Sequence, residues 1–129
     1  MSQLFDKTGR GGCPVCSAWE SRLLEAGKAP RREYMPIIEM FQELERRGVV
    51  ELLAGDCPLE EAARVLEAEQ HYTVCHYLQC KSCGAVYFVG ACIRGTPIYR
   101  KVDRLDWDKI RRQLWGRCGS VDLSGGNKL

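Results

Sequence analysis

The sequence predicts an α+β fold: a helical N-terminal half packed on a three-stranded antiparallel sheet, with a short C-terminal helix. Three observations predict it. Apolar residues recur at helical spacing through residues 13–70. From His71 the period changes to two, which predicts a β-meander over residues 71–103. Two Cys-x-x-Cys pairs, Cys13/Cys16 and Cys80/Cys83, stand one in each half and can fasten the halves together. At 129 residues the chain suits one domain. We assign it residues 1–118, with 119–129, rich in glycine and serine, as a flexible tail.

Each element follows from local signals. Gly11-Gly12 and Pro14 preset a turn at the first cysteine pair. Val15, Trp19, Leu23 and Ala26 then share one helical face, and Gly27 is a stop. Pro36 suits the first turn of a second helix, with Ile37, Met40, Phe41 and Leu44 as its apolar stripe and Gly48 as its end. Residues 49–53 are β-rich and short, a strand or an extended link. Asp56 or Cys57 is placed as the cap of a third helix, with Pro58 at its first position and Leu59, Ala62, Ala63 and Leu66 on its buried side.

In the meander, Tyr72, Val74, His76 and Leu78 point one way and Thr73, Cys75 and Tyr77 the other. After Gly84, Val86 and Phe88 alternate with Tyr87 and Val89. Residues 98–102 give the third strand after the turn at Gly95-Thr96-Pro97. Asp106 caps a last helix over 106–115, with Trp107, Ile110 and Leu114 inward.

The cysteine pairs carry the chemistry. Zinc takes four soft ligands in a tetrahedron, and each Cys-x-x-Cys turn delivers two thiolates. Gly84, just after the second pair, can adopt the positive φ that such a turn needs. Cys13, Cys16, Cys80, Cys83 and Gly84, beside a sheet over 71–102, resemble the zinc-ribbon group of proteins. That resemblance implies one structural Zn2+ held by Cys13, Cys16, Cys80 and Cys83. Four cysteines also suit iron, as in rubredoxins, and one pair can instead combine with donors from elsewhere. The other donors are Cys57, Cys75, Cys92, Cys118, His71 and His76. Cys75 and Cys92 lie mid-strand and read as small buried hydrophobes. Cys57 sits at a helix start, where it is a packing residue or a thiol with lowered pKa.

A site closed by four cysteines has no open coordination position for activating water. No Gly-x-Ser-x-Gly, His-Glu-x-x-His or phosphate-binding loop occurs. The chain therefore reads as non-enzymatic, with thiol redox chemistry as a minor alternative. Net charge is +2, but residues 33–69 hold ten acidic and three basic residues, and residues 81–118 hold nine basic and three acidic ones. This division suits a protein-interaction module with an unknown protein partner. Arg94, Tyr99, Arg100 and Lys101 are the residues expected to meet it. Small bacterial antitoxin or immunity-type proteins share this general look. The alternative is a nucleic-acid-binding ribbon, its basic C-terminal half interleaved with Tyr87, Phe88, Tyr99 and Trp107. No apolar run approaches the ~20 residues of a membrane helix, so no membrane association is expected. Residues 1–12 lack the apolar core of a signal peptide. We therefore expect a cytoplasmic protein, in a reducing compartment that favours metal over disulfides.

Overall fold

The α+β class holds, with one strand more than expected. The computed structural model describes residues 14–27, 34–93 and 97–121. In chain order these form α1 (Pro14–Gly27), α2 (Tyr34–Arg46), β1 (Val50–Gly55), a 3-10 turn (Leu59–Glu61) leading into α3 (Ala62–Ala68), β2 (Thr73–Cys80), β3 (Val86–Cys92), β4 (Ile98–Val102) and α4 (Trp107–Gln113). The strands make one antiparallel sheet in the order β1-β2-β3-β4.

The expectation of three strands is corrected by β1. Residues 50–55 pair with β2, Val50 opposite Cys80 and Gly55 opposite His76. The run shows no alternation because both faces of the sheet are covered. A register shift between Leu52 and Ala54 also breaks the two-residue period. Val50 and Leu52 pack in one apolar cluster, and Leu53 and Ala54 in another.

The first cluster lies between the sheet and α1, α2 and the 3-10 turn. Val74, Leu78, Tyr87, Val89 and Tyr99 meet Trp19, Leu23, Ile37, Ile38, Phe41 and Leu59 there. Trp19 is the centre of this layer, edge-on to Phe41 at 5.9 Å and to Tyr87 at 5.6 Å between ring centroids. Such edge contacts add about 0.5–1.5 kcal/mol each beyond area burial. The second cluster is smaller. Cys75, Tyr77, Val86 and Phe88 share it with Ile110 of α4 and Leu114 just beyond its end. The alternation expected for β2 and β3 is thus observed, with the outward set buried too.

The helix ends show where local signals succeed and fail. Asp106 caps α4, its carboxylate accepting from the Lys109 N–H at 3.3 Å. Pro36 lies in the first turn of α2, where its missing N–H costs nothing. The expected cap of the third helix is corrected. Pro58 itself is the extended residue before the 3-10 turn, and no side chain caps it. Asp56 is drawn away to distant backbone groups, described below. Residues 119–121, expected in the tail, run along β1: the Ser120 and Val121 N–H groups donate to Leu52 and Leu53 at 2.9 Å. Cys118 and Gly55 exchange a pair of backbone hydrogen bonds at the same edge. Among the described residues, no helix is long and apolar enough to cross a membrane.

Candidate metal centre

Three cysteine sulfurs converge at one end of the sheet. Cys80 ends β2, and Cys83 lies in the turn that follows. The turn is fixed by its backbone: Cys80 N–H donates to Ala85 and Gly84 N–H donates to Cys80, both at 2.8 Å. Gly84 has φ of 84°, the left-handed conformation that glycine adopts without steric cost. Gln79 braces the turn by donating from its amide to the Gly84 carbonyl at 3.1 Å. Lys81 N–H donates to Val49 at 3.0 Å, tying the knuckle to the approach of β1.

The third sulfur comes from α1. Cys16 lies in its first turn, and Trp19, three residues on, anchors that helix over Tyr87. The Cys16 and Cys83 sulfurs are 3.4 Å apart, and the sulfurs of Cys16, Cys80 and Cys83 all lie within 4.8 Å of one another. Thiolates bonded to one tetrahedral ion at about 2.3 Å sit about 3.8 Å from each other. The trio therefore can hold a metal ion. Cys16 and Cys80 are buried and Cys83 is exposed. Cys13, the fourth expected ligand, lies outside the described residues.

Around Cys16 stands a polar shell that the motifs did not reveal. The Tyr87 hydroxyl donates to Glu20 at 2.5 Å, and Lys101 pairs with the same carboxylate oxygen at 3.4 Å. Burial raises the Tyr87 phenol well above its ordinary range, and the neighbouring Cys16 and Glu20 push the same way. Glu20 follows Cys16 by four residues, so helical spacing alone places both on one face of α1.

The other donors lie apart from this cluster. Cys57 is buried, its sulfur 4.0 Å from His76 Nε2, which is itself 2.8 Å from the Cys57 carbonyl. Burial, then Asp56, pushes the Cys57 thiol up to about 12. The lowered pKa considered for it is thereby overturned: desolvation outweighs any helix-end effect. Cys75 is likewise pushed up to about 12, burial first, and behaves as a buried apolar group. His76 is fully buried and lowered to about 4 by desolvation, so the ring is neutral near pH 7.

Of the residues expected to meet a partner, Arg94 lies outside the described ones. Tyr99 is corrected: it is 5% exposed and packs in the helix-facing core. In β4 its parity points inward, and the charged residues beside it masked that. Arg100 is exposed and lies 4.8 Å over the Phe88 ring. Lys101 is half-buried and paired with Glu20. Tyr87 and Phe88 are also core residues, so they are not open stacking faces. Among the described residues, the large apolar side chains that reach solvent are Tyr72, Ile98 and Trp115, at the other end of the sheet.

That opposite end is gathered by Asp56. Its carboxylate accepts from the Cys75 N–H at 2.8 Å, the Trp115 N–H at 2.7 Å and the Gly116 N–H at 3.1 Å. A Cβ on Gly116 would fall 2.0 Å from the Asp56 carbonyl oxygen, so only glycine permits this approach. Burial raises the Asp56 carboxyl, and the three N–H groups partly offset that. Trp115 also donates its indole N–H to Thr73 at 2.7 Å and stacks on His71, ring centroids 3.7 Å apart. A cleft of about 640 Å³ opens here, lined by Cys57, Arg64, His71, Trp115 and Arg117 among others. None of the three clustered cysteines lines it. The chain matches no protein-family model, no curated protein and no solved structure.

Proposed function

We propose that this chain is a small non-enzymatic interaction protein stapled by one structural zinc. Cys13, Cys16, Cys80 and Cys83 would be the ligands, joining the start of α1 to the β2–β3 knuckle. The convergence of three sulfurs from segments 67 residues apart supports the reading. All-sulfur donors select zinc or iron over hard cations, and zinc is the ordinary occupant of a structural site built from four cysteines. Such an ion supplies folding energy by fixing segments together.

In this reading the sheet end opposite the metal meets a protein partner, through exposed Tyr72, Ile98 and Trp115, with exposed Arg100 two residues on from Ile98 in β4. An antitoxin- or immunity-type role is the instance carried forward. The nucleic-acid reading keeps exposed Arg104, Lys109 and Arg112. It loses Tyr87, Phe88 and Tyr99 as stacking groups, so protein binding stands first.

The metal is tested by elemental analysis of protein purified without chelators. One zinc per chain, absent from Cys80→Ser, is expected; no stoichiometric metal overturns the reading. The surface is tested by the paired substitution Tyr72→Ser and Trp115→Ser in the native host. Loss of a specific copurifying protein, with zinc content unchanged, is expected. Retention of that protein, or salt-sensitive nucleic acid in its place, would turn the assignment away from this surface.

A further inference from the structure

The sulfur cluster is unevenly exposed, and it brings together the sulfurs of Cys16 and Cys83, 67 residues apart in sequence. Cys83 faces solvent while Cys80 is fully buried. The Cys80 backbone is held on both sides, by Ala85 and Gly84 and by its place opposite Val50 in the sheet. Cys16, three per cent exposed, reaches the cluster from another element and lies 3.4 Å from Cys83, sulfur to sulfur. A disulfide needs about 2.05 Å, so about 1.4 Å of approach closes the bond. Among the three clustered cysteines, Cys83 combines access for an oxidant with a buried thiol 3.4 Å away.

We propose that Cys16 and Cys83 form an oxidative modification site, joined as a disulfide by hydrogen peroxide. In the first step Cys83 attacks the peroxide: its sulfur gains the hydroxyl oxygen, the O–O bond breaks and water leaves. In the second step Cys16 attacks the Cys83 sulfenic acid: the S–S bond forms and a second water leaves. Two thiols and one peroxide give one disulfide and two waters, the sulfurs oxidised and the peroxide oxygens reduced. Bonded to each other, Cys16 and Cys83 would no longer be available as two of the ligands of a zinc ion held there, whose charge would not change. The product ties α1 to the knuckle by the same two residues that the metal would join. Oxidation thereby exchanges a removable tie for a covalent one.

The resting state in this scheme rests on the metal reading, whereas the bond depends only on the two sulfurs. The test uses full-length protein purified without chelators, treated with one equivalent of hydrogen peroxide. Zinc is followed with a colorimetric chelator, and disulfides are mapped by non-reducing proteolysis and mass spectrometry. The expected product is a cross-linked peptide pair containing Cys16 and Cys83, appearing in step with zinc release. A bond within Cys80/Cys83 or Cys13/Cys16, or sulfinic acid on Cys83 without a bond, overturns the proposal. If the untreated protein carries no metal, the metal reading alone fails, and the mapped peptides still decide the disulfide. In chelator-treated samples the oxidised chain should melt higher than the reduced one, on the order of 10 °C. An unchanged melting temperature would contradict the covalent tie.

Discussion

At the knuckle end of the sheet, three cysteine sulfurs gather α1 and the β2–β3 turn. At the far end, one buried carboxylate gathers β1, β2 and the segment after α4. Both ends join segments remote in sequence, yet the chemistry differs in kind. Asp56 accepts hydrogen bonds that the chain itself supplies, so that closure is intrinsic. Packed thiols attract one another weakly, so the strength of the knuckle end depends on what they bind or become. One small fold thus sets a hydrogen-bonded tie and a cluster of sulfurs that could hold a metal ion at opposite ends of the same strands.

The largest expected effect breaks the conditional end. Cys80→Ser should abolish metal binding and lower stability on the order of 5 kcal/mol. Hydrogen exchange should then rise first in α1, while the Cys75 amide stays protected. Equal loss at both ends would erase the distinction between them. Asp56→Ala breaks the intrinsic end. It strands three backbone donors and should cost on the order of 4 kcal/mol in chemical denaturation. Zinc affinity should remain within a factor of about two of wild type, since no ligand moves. A large drop in metal affinity would mean that the two ends are coupled.

Acid should sharpen the comparison through His76. Its folded value, about 4, lies below the ordinary 6.5, so the fold holds the neutral ring. The stability it contributes is full above pH 6.5 and is lost as pH falls toward 4. The loss is on the order of 3 kcal/mol. The stability difference between wild type and His76→Gln, from urea titrations, should change by about that much across this window. A constant difference would contradict the buried neutral ring. The smallest effect is expected at Tyr87→Phe, which removes the hydroxyl bonded to Glu20 beside Cys16. Competition with a zinc chelator should show affinity weakened about tenfold, with the Asp56 end unaltered.

The helices and β2–β3 were legible because burial on one side writes a period into the chain. Trp19 and Leu23, or Val74 and Leu78, recur at the spacing of the backbone that carries them. β1 was not, because its Leu52–Ala54 bulge and two covered faces remove the alternation. The knuckle was legible because Cys-x-x-Cys followed by glycine is a local device. The Asp56 tie was not: Asp-Cys-Pro looks like a helix start, while its real partners lie at Cys75, Trp115 and Gly116. Tyr99 misled for a similar reason. Charged neighbours suggested a wet strand, yet Lys101 turns inward to Glu20 and Ile98 is left half exposed.

The most direct test of the conditional tie is native mass spectrometry of protein purified without chelators. One zinc per chain is expected, lost on acidification together with the compact charge states. A compact, metal-free chain with its thiols reduced would contradict it.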